Sequence, residues 1–229
     1  MGRKAQRLSA LVRNLIASRA RPQLWPRAVF IARRAIRQYG AFQKLSELAP
    51  LVGIVAKLKP RAIVEIGTGR GGTLWAWCQV AADDATIVTI NLPGGGFEVG
   101  DLDSATVRSY ARGQQRIEIL PGDSHDPDVL AHASSLLGRQ PDFVFVDGDH
   151  TYAGVQTDYQ MYAPLLRPGG LIVFHDIVKH RVETGCEVDR LWDEIKSAYD
   201  YTELADQRPD PGRGPWGGIG VLRVPEDRR

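Results

Sequence analysis

The densest chemistry in the chain lies in two short stretches, Asp147-Gly148-Asp149-His150-Thr151-Tyr152 and His175-Asp176. They close two apolar runs, Phe143–Asp147 and Leu171–His175, that read as strands. Open α/β sheets bind ligands at the C-terminal ends of their strands. If these two strands are neighbours, about 4.8 Å apart, Asp147, His175 and Asp176 can converge on one cation. Two carboxylates and an imidazole suit Mg2+ or Mn2+, and the imidazole also admits Zn2+ or Fe2+. His150 can point into the same cleft, and an ordinary pKa of about 6.5 suits a base near neutral pH. A cation lowers the pKa of a hydroxyl beside it and a base takes the proton, so the group reads as a device for activating oxygen. The competing reading of His150 is a helix cap or a backbone contact. For Asp149, capping the helix that starts near Thr151 is the better reading. His125, His132 and His180 stand apart and read as structural or exposed.

A second motif precedes these. The run Ala62–Ile66 passes into Gly67-Thr68-Gly69-Arg70-Gly71-Gly72-Thr73, in which Gly67, Gly69 and Gly72 fit G-x-G-x-x-G. Glycine permits a tight turn and close approach of backbone to a ligand, and the helix that follows offers free N–H groups. Dinucleotide sites use the same turn. Glu65 tilts the choice, because a carboxylate just before the turn can meet the methionine ammonium of S-adenosylmethionine. The next strand ends at Asn91, where an acid is expected to hold ribose hydroxyls; Asn91 can still donate and accept, and Asp101 or Asp103 could substitute. After the third strand, Asp123 and Ser124 can contact adenine or cap a helix. The expected cofactor contacts are thus Glu65, Gly67, Thr68, Gly69, Gly72, Thr73, Asn91, Asp123, Ser124 and Asp147.

Parallel strands must position these groups. Apolar runs at Ala62–Ile66, Thr86–Ile90, Arg116–Leu120, Phe143–Asp147 and Leu171–His175 alternate with helical segments around 72–82, 102–113, 126–137 and 151–166. Such alternation predicts an α/β fold, a mostly parallel twisted sheet with helices on both faces. A last strand is expected at Gly218–Val224, and the Pro- and Gly-rich stretch 207–218 reads as a loop over the site. Upstream, helices are expected at Leu8–Ala17, Arg27–Tyr39 and Ser46–Leu58, the last with Leu48, Leu51, Val52 and Val55 on one face.

The chain has 229 residues, with 29 basic and 27 acidic side chains. That length allows one well-buried domain. Residues 1–46 hold eleven Lys or Arg and no acid, so the remainder holds 29 − 11 = 18 basic and 27 acidic residues. The reading is a basic helical arm, 1–45, on a mildly acidic domain, 46–229. The arm could touch anionic lipid, nucleic acid or an acidic partner, and its arginines resemble a transit peptide in composition. Nothing in it points to specific nucleic-acid recognition, and a homo-oligomer is compatible with the pattern. No apolar run is long enough to span a membrane, and no secretory signal opens the chain, which gives a cytoplasmic expectation. Cys78 and Cys186 read as two unpaired thiols.

Val64–Thr73, Asp147–Tyr152 with Gly154 and Asp158, Tyr162-x-Pro164-Leu165, Arg167–Gly170, Phe174–Ile177, Leu191-Trp192-x-x-Ile195 and Gly217–Leu222 resemble class I methyltransferases. The group is that of the cephalosporin hydroxylase and the rhamnosyl and macrolide-sugar O-methyltransferases. The resemblance implies a Rossmann-like seven-stranded fold, S-adenosylmethionine and often Mg2+. It implies O-methylation of a hydroxyl on a sugar, natural product or glycan. By position, Asp147 and Asp176 look like metal ligands, His175 stands where the family often has glutamate, and His150 looks like the base. Asn91 replaces the usual aspartate. Two other readings compete: a nicotinamide-dependent oxidoreductase on the same fold, and a cofactor-binding subunit without catalysis.

Overall fold

A computed structural model describes residues 24–93, 104–206, 208 and 214–227. The helix expected at Leu8–Ala17, most of the basic arm, and Asp101 and Asp103 lie outside the described residues.

Two helices lead in, α1 (Leu24–Tyr39) and α2 (Leu45–Leu58). Strands and helices then alternate: β1 (Ala62–Ile66), α3 (Gly72–Val80), β2 (Thr86–Asn91), the short α4 (Ser104–Arg108), β3 (Arg116–Pro121), α5 (Pro127–Leu137), β4 (Phe143–Val146), α6 (Tyr152–Tyr162) and β5 (Leu171–His175). Helix α7 (Val188–Ile195) precedes the hairpin β6 (Asp200–Leu204) and β7 (Ile219–Arg223). The sheet order is β3-β2-β1-β4-β5-β7-β6. Neighbours from β3 to β5 are parallel, whereas β7 runs antiparallel to β5 and to β6. This is the seven-stranded, mostly parallel sheet of the Rossmann-like methyltransferase fold, with one antiparallel hairpin at its edge. Strand β6 has no counterpart in the sequence reading. It is an edge strand whose Asp200 and Glu203 are exposed, so no apolar run marks it.

Strand alternation divides the core into two layers. Ile63, Ile87, Phe143, Phe145 and Val173 face α1, α2 and α3. Val64, Val88, Val144, Val146 and Phe174 face α5, α6 and α7. Helix α1 buries Ala28, Ile31, Ala32 and Ala35 in the first layer. The described part of the basic stretch is therefore packed against the sheet's helical cover. The apolar face expected on α2 is buried, with Leu48, Leu51, Val52 and Val55 at 0% exposure. Cys78 and Cys186 are both free thiols. Among the described residues no helix is long and apolar enough to cross a membrane.

Candidate active site

The parallel register brings the two chemical stretches side by side. Val146 pairs with Phe174, so the residues beyond them, Asp147 and His175-Asp176, leave the sheet together. His175 follows Val173 by two positions and shares its side of the sheet, towards α2. His175 Nδ1 lies 2.9 Å from Asp147 Oδ1 and 3.4 Å from Asp176 Oδ2. His150 bridges the carboxylates, with Nε2 3.2 Å from Asp147 Oδ1 and Nδ1 3.4 Å from Asp176 Oδ2. Asp176 holds a left-handed backbone, φ 62°, uncommon for a residue with a side chain. Its Oδ1 accepts the Gly217 amide at 2.9 Å and lies 3.2 Å from His180 Nε2. His180, read as solitary in sequence, thus backs Asp176.

Charges within this cluster balance by holding protons. Burial opposes charge on Asp147, yet His175 and His150 keep its carboxyl below the usual range. Asp176 is held low in the same way, by His175, His180 and His150 against its burial. Burial alone would lower the His175 pKa, but Asp147 and Asp176 raise it to about 9, and His150 is raised for similar reasons. Two ionised carboxylates thus hold protons on two imidazoles, and a cation entering the cluster would take the place of those protons. One ligand atom from each of Asp147, His150, His175 and Asp176 lies within 4.8 Å of the others. The donor set fits a divalent cation on chemical grounds, hard carboxylate oxygens with imidazole nitrogen.

Beside the cluster runs a groove of about 330 Å3. Gly67, Asn91, Asp123, Ser124, Asp147 and Gly148 line it, six positions from four consecutive strand ends. The glycines of the turn do different work from one another. A Cβ on Gly67 (φ +86°) would stand 2.0 Å from the Asp147 carbonyl oxygen, and one on Gly72 would stand 2.1 Å from the Ala41 amide nitrogen. Both glycines admit other parts of the chain. A Cβ on Gly69 (φ +50°) would meet nothing within 4 Å.

Glu65, Thr68 and Thr73 sit behind the turn. Glu65 is fully buried, accepts from the Trp77 indole at 2.9 Å and the Thr89 hydroxyl at 3.1 Å, and does not line the groove. Burial pushes its pKa up to about 8, against hydrogen bonds from Thr73, Trp77 and Thr89. Thr68 and Thr89 share a 2.6 Å hydrogen bond. Asn91 donates to the Leu92 carbonyl at 3.1 Å. Asp123 accepts the His125 amide, while the following helix is capped by Asp126. Asp149 accepts the Thr151 amide, and Thr151 is the cap of α6.

Three groups near the site carried no signal in the sequence reading. Gln43, between α1 and α2, donates to Asp147 Oδ2 at 2.8 Å. Glu47 and Lys44, on and beside the first turn of α2, hold the segment ahead of β7. Glu47 accepts the Asp206 and Gly218 amides at 2.8 and 2.9 Å, and Lys44 donates to the Asp206 and Trp216 carbonyls at 2.9 Å each.

Residues 64–177 match the family model described as a methyltransferase domain. The segment is a class I methyltransferase domain. It spans the glycine turn, the groove and all four members of the cluster. Among curated proteins, the domain is similar to the demethylmacrocin O-methyltransferase of Streptomyces fradiae, 38% identical over 70 residues. Those residues are 31% of this chain and 17% of that protein. It is also similar to an uncharacterized mimivirus protein, R132, 31% identical over 118 residues, 52% of each chain. The chain thus spans from about a sixth to about half the length of these relatives. Among solved structures, an O-methyltransferase from Bacillus cereus in complex with SAH aligns with TM-score 0.56 at 19% identity, over 87% of this chain and 90% of that one. MycE of the mycinamycin pathway, in complex with Mg and SAH, aligns with TM-score 0.55 at 18% identity, over 88% of this chain and 55% of that one. These structural likenesses establish the shared fold of the methyltransferase domain.

Proposed function

We propose that this chain transfers a methyl group from S-adenosylmethionine to a hydroxyl oxygen of a small-molecule or glycan acceptor. The observation that carries the reading is the Asp147–His150–His175–Asp176 cluster standing at the same sheet edge as the groove. The similarity to the demethylmacrocin enzyme and to structures holding SAH, or Mg with SAH, supports it. In this reading the groove from Gly67 past Asn91 to Asp123 and Ser124 takes the cofactor. Glu65, Thr68 and Thr73 shape the turn from behind.

Asp147, His175 and Asp176 would hold the cation. When bound, a divalent ion lowers the pKa of a hydroxyl beside it, and S-adenosylmethionine offers a methyl group on a sulfonium centre. His150 accepts the hydroxyl proton. Its ring is held by Asp147 on one nitrogen and Asp176 on the other, so its plane is fixed before an acceptor arrives. Engagement of those carboxylates by a cation would weaken their hold on the ring protons, leaving His150 neutral and able to act as base.

Isothermal titration with S-adenosylmethionine, S-adenosylhomocysteine and NADH, each with and without Mg2+, tests the reading. The two adenosyl ligands are expected to bind and NADH is not. Binding of NADH alone would replace methyl transfer with hydride chemistry.

A further inference from the structure

Arg27, Lys59 and Arg112 line a cavity of about 250 Å3 at the far end of the sheet from the groove. Lys59 closes α2 just ahead of β1, and Arg112 stands just ahead of β3, so this is the edge where strands begin. The cluster and the groove lie where strands end. Arg27 and Arg112 both donate to the Gln79 carbonyl in the last turn of α3, at 3.4 and 3.2 Å. One carbonyl thus gathers two guanidinium groups, each with further N–H donors to offer. Among the described residues, none of the three cations is paired with a carboxylate. Asp83 is the one acid that lines the cavity, so the cations outnumber it and the local field is positive.

The surroundings say what kind of anion. Between the cations the lining is apolar, with Ile31, Ala56, Val80 and Ala81. An anion that carries hydrocarbon suits that lining better than a bare one. The same chemistry continues along α1, which has no acid. Arg27, Phe30, Arg34 and Arg37 recur at helical spacing on its outer face, and all four are exposed. Phe30 is 62% exposed, an aromatic ring held in water between arginines. Basic helices that lie in a lipid headgroup layer carry that combination. The sequence ahead of α1 has the same character: residues 1–23 hold six Lys or Arg and no acid, with Leu8, Leu11, Val12, Leu15 and Ile16 at helical spacing. That segment has the wrong charge to fill the cavity and the right one to share its partner.

We propose that this edge is a peripheral docking surface for an anionic membrane, the Arg27–Lys59–Arg112 cavity taking the phosphate of an anionic phospholipid while Phe30 enters the headgroup layer. A nucleic acid is the poorer fit, because a duplex backbone offers nothing to the apolar lining or to Phe30. The proposal does not depend on methyl transfer. It leaves the cluster and the groove facing away from the bilayer, since they occupy the opposite edge of the sheet.

Vesicle flotation with the full chain tests it, using phosphatidylcholine alone and phosphatidylcholine with one third phosphatidylglycerol. Wild type is expected to float with the anionic vesicles only, and less as salt is raised. Arg27→Gln with Arg112→Gln should weaken partitioning roughly tenfold or more. Lys179→Gln with Arg190→Gln removes the same charge from exposed positions outside the cavity and should change it less than twofold. Should the arginine pair fail to fold, Lys59→Gln alone should cost about fivefold, and Phe30→Ala should weaken binding without any change of charge. Equal weakening by the two charge-matched pairs would overturn the cavity's role, and no flotation of wild type would overturn the surface itself. Two further probes separate the sources of phosphate. Inorganic phosphate should release no more protein than chloride at equal ionic strength; greater release would mark a free-anion site and overturn lipid docking. A fluorescent DNA duplex should bind more weakly than the anionic vesicles at the same salt; tighter binding that the arginine pair abolishes would make the surface a nucleic-acid site instead.

Discussion

At the scale of single residues, His150 and Glu65 show how burial and neighbours assign roles. His150 touches both carboxylates through its two ring nitrogens, whereas the more buried His175 approaches both through Nδ1 alone. With an acceptor that supports turnover, His150→Ala should lower kcat by about 10²- to 10⁴-fold. The dissociation constant for S-adenosylhomocysteine should stay nearly unchanged, because His150 does not line the groove. Normal turnover in the variant would remove His150 as base. Glu65 makes a stability prediction instead. Its folded pKa of about 8 stands above the ordinary glutamate value of about 4.5, so the unfolded chain releases this proton first. Its contribution is intact below the unfolded pKa and is lost as pH rises through the window from about 4.5 to 8. Gln at 65 keeps the shape without the proton. Glu65→Gln should flatten the decline of the melting temperature across that window; an unchanged pH profile would show that Glu65 is already ionised in the fold. The sequence shows Glu65 ahead of the glycine turn; the side of the strand it faces follows from strand alternation around Ile63 and Phe145, with Trp77 as the partner.

At the scale of elements, the sheet was legible because each central strand is an uninterrupted apolar run, as parallel strands covered on both faces must be. The edge hid β6, where two of the five residues are exposed and none is buried. The glycine motif was legible as a turn. What it encodes, however, is mostly contact within the chain: Gly67 against the Asp147 backbone and Gly72 against Ala41. The second contact locks the α1–α2 connection onto the start of α3, and that connection carries Gln43. A methyl group on Gly72 must move backbone, not a flexible side chain. Gly72→Ala should therefore cost roughly 2–3 kcal/mol, a fall of about 5–10 °C in melting temperature for a domain of this size. It should also weaken cofactor binding, whereas Gly69→Ala, with open space around it but a positive φ, should destabilise less. Equal melting temperatures for the two variants would show that the Ala41 contact is soft. Gln43 itself left no trace in the pattern, since a lone glutamine between helices has no periodicity and no motif; only the folded contact with Asp147 reveals it.

At the scale of the whole molecule, the site draws on segments far apart in sequence: Gln43 and Glu47 from the leading helices, Asp147 and His150 from the middle, Asp176 and Gly217 from the end. Asp176 is the shared member. One of its oxygens faces His150 and His175 while the other holds the Gly217 amide at the entry to β7. A single carboxylate therefore belongs to two equilibria, occupancy of the cluster and anchoring of the antiparallel edge, and reciprocity requires each to bias the other. Mn2+ added to the protein should slow hydrogen exchange at the Gly217, Gly218 and Ile219 amides more than at the α5 amides on the opposite face. Asp176→Asn, which keeps an acceptor for Gly217 but not the charge, should abolish that difference; uniform slowing in both proteins would show that the edge does not sense the cluster. The strained backbone at Asp176 thus makes the last strand of the sheet a reporter of what the first two carboxylates hold.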